Sequence, residues 1–477
     1  MPKIRSVDNK FNITYFKNPG IKAYDAYTVL HKTNSVGFIF EQNSHSENSS
    51  TEGRFGYVCI SADKVLRTGL NEPSGQTDPF ELIKTELESY DKSISSPIIS
   101  DLEHAFYSGA FGYISYESCN YFEPSVGKLK PSPLGVPEST FIFPSELLIF
   151  DNKKQLIYLI SNKNIKSTDG SKQNRQEFIK NKLSSFCEIR TKFKSNISRS
   201  YSSYPSRKSF ERMVTKAITE IRDGELIQVV LSRRIELNIS CSSERIYRSL
   251  RKINFSPYTY LMDLGDFQIV GASPELMSRT INRKSEIHPI AGTFPRNSII
   301  EIDKNNELQM LLSEKEKSEH IMLVDLARND LGRVCKPGSI EVGKLMSVEK
   351  YSHVMHLVSK VSGLLLDHVS GIDALKSGFP MGTLTGAPKI RAIKLASELE
   401  SEGRGPYCGT IGWFGSNGNV DTGTLIRSVI VKQGKGHIQV GAGIVFDSSP
   451  PSEYNETQYK ANACLRAVAA AHFEEEK

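Results

Sequence analysis

The sequence predicts an α+β chain built on largely antiparallel sheets. Three observations carry this. Strand-like and helix-like segments alternate irregularly, most links between successive strands are too short for a crossover helix, and no internal repeat is evident. At 477 residues the chain is long enough for two or three domains or one large one.

The N-terminal 200 residues read as strand-rich. Residues 105–116 (AFYSGAFGYISY) alternate aromatic with small side chains, their glycines pointing to bulges or close backbone approach. Residues 141–149 and 156–160 form a hairpin pattern, with Asp151-Asn152 in the turn. The polar stretch 41–53 (EQNSHSENSSTEG) predicts a loop. Residues 162–207 are rich in Ser, Lys and Asn, with a helix over 175–190, and their end, 198–207, reads as a linker. The expected organisation is therefore an N-terminal region over 1–200 and a C-terminal region over 205–473.

The C-terminal region opens on an amphipathic helix, with Phe210, Met213, Val214, Ala217, Ile218 and Ile221 on one face and Asp223-Gly224 as its stop. Strands are expected at 226–237, 259–264, 268–271, 340–342, 409–414 and 438–445. Helices are expected at 313–331, 371–377, 389–401 and 452–473.

Composition excludes several classes of function. A net charge of +6 is spread over 60 basic and 54 acidic residues, without the basic block or aromatic-basic stripe of a nucleic-acid partner. The N-terminal residues lack the apolar core of a signal peptide, and no apolar run approaches the ~18 residues of a membrane span. Seven cysteines without C-x-x-C spacing read as buried thiols in a reducing compartment, which makes the cytoplasm the expected location.

Glu316-x-x-Glu319 and Glu453-x-x-Glu456 place two carboxylates on one face of a helix each, and Lys460 lies seven residues beyond Glu453. Spacing alone leaves two readings open, a solvated helix face or a hard-cation site for a carboxylated substrate. The segment from Gly382 to Lys389 (GTLTGAPK) has the look of a phosphate loop but lacks the Gly-Lys-Ser/Thr end, and Pro388 removes a backbone donor from the cradle. Thr383, Thr385 and the amides that follow keep the option of holding a carboxylate. His356 and Gln228 are single polar residues in apolar runs, each open to a structural or a chemical reading. Gly441-Ala442-Gly443 follows an alternating strand, ten residues before Glu453.

Taken together, these segments resemble the chorismate-utilising enzymes, above all the anthranilate synthase component I family. The matching stretches are Gly271–Glu275 (GASPE), Pro289–Thr293 (PIAGT), Ser318–Asp330 (SEHIMLVDLARND), Val354–Ser359 (VMHLVS), Gly382–Lys389, Gly403–Tyr407 (GRGPY) and Gly441–Tyr459. They run in family order over 205–470, and residues 109–116 give the best match in the N-terminal region.

The resemblance implies a two-domain α+β sandwich with its active site between the sheets, binding chorismate and Mg²⁺. It implies Glu319 and Glu456 as principal metal ligands, with Glu316 and Glu453 acting directly or through water. Lys460 with Ala291, Gly292 and Thr293 would hold the ring carboxylate. Tyr407, Arg427 and the backbone of Gly441, Ala442 and Gly443 would hold the enolpyruvyl carboxylate. Glu275 would be the general acid at the C4 hydroxyl, with Thr383 in the same catalytic group, and His356 the base that removes the C2 proton.

Family members that add water carry Lys where this chain has Gln228. A Gln cannot deprotonate water, so the resemblance implies ammonia as nucleophile. Ala291 stands where relatives making 4-aminodeoxychorismate often carry a Lys that attacks C2. This favours anthranilate over that alternative, and Gln228 disfavours isochorismate or salicylate formation. Nothing in the chain resembles a glutaminase, so a separate glutamine amidotransferase subunit is expected to supply the ammonia.

Tryptophan-inhibited members carry Leu-Leu-Glu-Ser and Asn-Pro-Ser-Pro-Tyr-Met. Here these read Ile39-Phe-Glu41-Gln42 and Asn254-Phe-Ser-Pro257-Tyr258-Thr259. A tryptophan site at these residues is implied, with feedback weakened by the departures.

Overall fold

A computed structural model describes residues 5–6, 11–32, 35–46, 49–89, 102, 104–162, 172–186, 200–350 and 354–472. Every strand pairing among them is antiparallel. One ladder runs through Gln228–Asn238, Lys435–Ile444, Ser428–Lys432, Phe267–Ser273, Tyr258–Asp263 and Gly37–Ser46 to Ser49–Thr68. A second runs through Gly109–Ile114, Thr410–Gly415, Val420–Thr424, Leu276–Ile281, Lys284–Ile287 and Val354–Leu364.

Ser49–Thr68 and Ser139–Asp151 belong to both ladders. Their mutual register shifts between Cys59 and Lys64. Such bulges bend a strand, and here they let the pair leave one layer and enter the other.

Side-chain alternation sorts the layers. On the first ladder Ile39, Leu261, Val270, Val429 and Val440 share a cluster with the helices Ala23–Leu30, Ser243–Ile253 and Pro450–His472. Their neighbours Phe38, Phe40, Tyr260, Ile269 and Ile430 face the opposite way and meet Phe111, Tyr113, Ile411 and Trp413 of the second ladder. The outer face of the second ladder is covered by Pro79–Glu88, Glu314–Gly332 and Gly371–Gly378. The result is a sandwich with helices outside and an aromatic-rich core between the sheets.

The amphipathic pattern at 210–221 is realised as the helix Arg207–Arg222, which buries all six apolar residues of that face. Each of them except Ala217 contributes roughly 1.5–3 kcal/mol of burial. The chain then turns at Gly224, whose φ of +84° suits a residue without Cβ. The 141–160 hairpin forms as Ser139–Asp151 with Leu156–Asn162.

Three expectations need correction. The polar stretch 41–53 is not a loop. Its residues 41–46 and 49–53 belong to the paired strands Gly37–Ser46 and Ser49–Thr68, and residues 47–48 lie outside the described residues. The strand expected at 340–342 is longer, Glu341–Lys350. The helix expected over 175–190 is Lys172–Ser184, and residues 187–190 lie outside the described residues. The described cysteines are free thiols, and Cys187 lies outside the described residues.

Candidate active site

The chain crosses from one sheet to the other at two places close to the site. Glu275 lies between Phe267–Ser273 of the first sheet and Leu276–Ile281 of the second. Arg427 lies between Val420–Thr424 of the second and Ser428–Lys432 of the first. Leaving a sheet requires a kink, and Arg427 adopts φ +51° there.

Glu275 is buried at 5% exposure, and its carboxyl accepts a hydrogen bond from Thr383 Oγ1 at 2.8 Å. Burial pushes its pKa up to about 7, against the opposing pull of the Thr383 hydroxyl and the Lys460 charge. Thr383 belongs to the short helical turn Gly382–Thr385. Lys389, at the end of that motif, is held by Asp330 at 3.0 Å and by the Gly378 carbonyl at 3.1 Å, so its ammonium is engaged structurally.

His356, on the strand Val354–Leu364, donates from Nδ1 to the Gly292 carbonyl at 2.6 Å. That bond makes Nε2 the basic nitrogen. Burial lowers the imidazole pKa to about 4, and the Arg427 and Lys460 charges act in the same direction. Ala291 is buried in the neighbouring strand Ile290–Pro295. Gly292 adopts φ +67°, and a Cβ there would lie 3.2 Å from a Glu316 carboxylate oxygen. The side chain of Thr293 lies outside the described residues.

Gln228 opens the strand Gln228–Asn238 and donates from Nε2 to Glu319 Oε1 at 3.1 Å. Its own Oε1 is buried with no hydrogen-bond partner among the described residues. The two site glycines of Lys435–Ile444 are places where a side chain would collide. A Cβ on Gly443 would lie 2.7 Å from Gln228 Nε2, and one on Gly441 would lie 2.8 Å from the Tyr407 hydroxyl. Ala442, between them, points the other way into the core beside Val229 and Leu231, so only its backbone faces the site.

The four glutamates sit on two helices, Glu314–Gly332 and Pro450–His472. Glu316 is raised in pKa by burial and then by the Glu319 and Glu456 charges. Glu453 is raised by burial and by Glu456, against a hydrogen bond from Ser448. Lys460 ties the second helix down, reaching Glu456 at 2.7 Å and the Gly441 carbonyl at 3.0 Å. Among the described residues no group of three or more His, Cys, Asp or Glu side chains forms a metal cage. The donor set suits a hard cation that keeps much of its water: all oxygen ligands, with Glu316 and Glu453 raised in pKa, a shift that a cation would reverse.

Arg427 completes the positive side. Burial pushes its pKa down, against the opposing effects of Cys464, Tyr407 and the Glu456 carboxylate. A desolvated guanidinium of this kind favours an anionic partner, and its fork matches a carboxylate. The site thus sets an acid, a base, two carboxylate pairs and a buried cation around one space.

The residues expected for tryptophan gather elsewhere, on the seam where Gly37–Ser46 pairs with Tyr258–Asp263. Glu41 is held by Arg251, at 2.6 and 3.0 Å, and by the Tyr247 hydroxyl. Gln42 donates to Asp421 at 2.5 Å, and Tyr258 donates to the same carboxylate at 2.7 Å. Asn254 bonds Ser256 and the Ala272 carbonyl, Pro257 accepts from the Asn43 amide, and Thr259 lies beside the Asn43 side chain.

Sequence reasoning missed Glu400 and Arg404, a buried ion pair at 2.8 Å. Arg404 stands inside the Gly403–Tyr407 motif, yet only Tyr407 drew attention there.

Residues 42–466 match the family model described as chorismate binding enzyme. The chain is 40% identical over 404 residues to anthranilate synthase component 1 of Acetivibrio thermocellus, covering 83% of this chain and 81% of that protein. Its structure superposes on anthranilate synthase component I from Streptococcus pneumoniae with a TM-score of 0.74 at 32% identity, over 88% of this chain and 94% of the other. The menaquinone-specific isochorismate synthase of Escherichia coli shares the fold at a TM-score of 0.68 and 17% identity, over 98% and 96% of the two chains. With the motifs and the geometry of the site, these similarities place the chain in the chorismate binding enzyme family.

Proposed function

We propose that the chain is the large subunit of an anthranilate synthase, converting chorismate and ammonia to anthranilate, pyruvate and water. Residues 205–473 form its chorismate-binding region, and residues 1–200 contribute to a tryptophan site. The observation that carries the choice of nucleophile is Gln228, a buried amide fixed on Glu319 whose free acceptor suits an N–H of ammonia and which cannot deprotonate water.

Arg427, Tyr407 and the Gly443 amide hold the enolpyruvyl carboxylate, while Lys460 and the Gly292 backbone flank the ring carboxylate. Glu319 and Glu456 would hold Mg²⁺, with Glu316 and Glu453 acting directly or through water. The bound cation would neutralise the ring carboxylate and polarise the ring. Glu275, protonated up to about pH 7 by its burial, gives its proton to the C4 hydroxyl, which leaves as water. Ammonia forms the new bond at C2 as the ring double bonds shift, giving aminodeoxyisochorismate. His356, neutral above about pH 4, then takes the C2 proton; the enolpyruvyl C–O bond breaks, pyruvate departs and the ring aromatises.

The ammonia comes from a glutamine amidotransferase subunit in the cytoplasm. No helix among the described residues is long and apolar enough to cross a membrane. Incubating the purified chain with chorismate, Mg²⁺ and ammonium at alkaline pH yields anthranilate and pyruvate by chromatography. A 4-amino product without pyruvate would instead assign the aminodeoxychorismate-forming reaction and overturn this reading.

Tryptophan feedback is weakened, because Gln42 fills the seam and is committed to Asp421. Gln42→Ser lowers the tryptophan concentration for half-inhibition about tenfold, the factor that one hydrogen bond of about 1.4 kcal/mol supplies. Tight inhibition of the unaltered chain at low tryptophan would contradict the assignment.

A further inference from the structure

We infer that Arg404 is a positioning residue whose buried guanidinium sets the spacing of Gln228, Thr383 and Tyr407. The inference rests on the proposed reaction at this site. Arg404 is 2% exposed, and all five of its N–H groups have acceptors. Nε donates to Glu400 Oε2 at 2.9 Å, and Nη2 donates to Glu400 Oε1 at 2.8 Å. Nη2 also donates to the Val230 carbonyl at 2.7 Å, two residues beyond Gln228. Nη1 donates to the Leu384 carbonyl at 3.1 Å, next to Thr383, and lies 3.8 Å from Cys408 Sγ, next to Tyr407.

Glu400 strengthens the hub by accepting from the Ser232 amide at 2.7 Å, so the strand that carries Gln228 is gripped at Val230 and Ser232. The guanidinium lies 4.7 Å over the ring of Tyr116. Glu117, beside it, accepts from the backbone amides of Arg404 and Gly405 at 2.6 and 3.0 Å. Three segments distant in sequence therefore take their relative positions from one planar fork. Lysine offers three donors without that plane and cannot reproduce the geometry.

A misplacement of about 1 Å far from the chemistry costs on the order of 100-fold in rate. Arg404→Lys therefore lowers kcat about 100-fold while the KM for chorismate rises much less, because among the side chains that hold chorismate Arg404 sets Tyr407, whereas Arg427 and Lys460 keep their places. The pH profile adds a readout that a purely structural role would not move. Releasing the Leu384 carbonyl lets Thr383 swing away from Glu275, removing a hydrogen bond that holds the acid's pKa down, so the high-pH limb of kcat moves upward.

The experiment compares kcat, KM and the pH profile of the full chain and of Arg404→Lys, with chorismate, Mg²⁺ and ammonium, at a temperature where thermal melts show both folded. Glu400→Gln, which keeps the shape and loses the charge, is the second variant and is expected to show the same pattern if Arg404→Lys does not fold. A folded variant with unchanged kcat and limb overturns the inference. So does a kcat that falls only in proportion to the unfolded fraction. A wild-type chain that makes no anthranilate overturns the proposed reaction instead.

Discussion

Glu275→Gln abolishes anthranilate formation, a loss of at least about 10³-fold, within the range that a positioned general acid contributes. The amide keeps the shape of the side chain and an acceptor for Thr383 Oγ1, so the loss reports the missing proton and not a collapsed pocket. Chromatography of anthranilate and pyruvate at saturating chorismate measures it, and residual turnover within tenfold of wild type would remove Glu275 from the mechanism. The wild-type pH dependence carries the same signature. The carboxyl ordinarily titrates near 4.5, and burial raises it to about 7 in the fold. In that window the folded state binds more protons than the unfolded one. The stability associated with the protonated carboxyl is therefore fully present below 4.5 and is lost as pH rises through about 7. Turnover, corrected for free ammonia, declines over the same upper limb.

His356→Ala stops the reaction halfway. Amination needs Glu275 and ammonia, whereas expulsion of pyruvate needs removal of the C2 proton. The variant therefore consumes chorismate and releases aminodeoxyisochorismate, with pyruvate formation slowed by roughly 10²–10⁴. The buried imidazole titrates near 4, so it is neutral and competent as a base throughout the neutral range. Chromatography that separates the amino intermediate from anthranilate decides the matter. A variant that no longer consumes chorismate would place His356 in the first step and refute this division of labour.

What the sequence revealed depended on the reach of each signal. The helix Arg207–Arg222 was legible because its apolar face repeats at helical spacing within sixteen residues. The helix Ser243–Ile253 went unnoticed although Ser242 caps it, because only Ile246, Tyr247 and Leu250 among its large apolar residues are buried. The helix Ile300–Leu312 was hidden for a different reason. Its apolar side chains are spread around it, with Ile300, Leu308 and Leu312 exposed and Met310 buried. At the site, Glu275, His356, Gln228 and Arg427 stood out through the resemblance, and in the fold the Arg427 charge reaches His356 while Gln228 bonds Glu319. Arg404 did not stand out, since the partners that tie it to the site lie 174 residues away at Val230 and 20 away at Leu384, and both offer backbone carbonyls that leave no mark in composition, while its i,i+4 pair with Glu400 looks like any helix-end charge pair.

The helix Pro450–His472 carries Glu453, Glu456 and Lys460 and packs on Ser243–Ile253 and Lys435–Ile444. In chain order this helix follows every strand of both sheets, so a ribosome makes it after them. Until then, the first sheet's outer apolar face lacks Ala461, Cys464, Ala467 and Val468 as its cover. Until the helix emerges, the growing chain carries an unsealed hydrophobic surface, and Glu316 and Glu319 lack the second carboxylate pair. A chain interrupted before Pro450 is therefore at once without Glu453, Glu456 and Lys460 and prone to aggregate, so one helix couples the sealing of the sheet to the arrival of the second carboxylate pair.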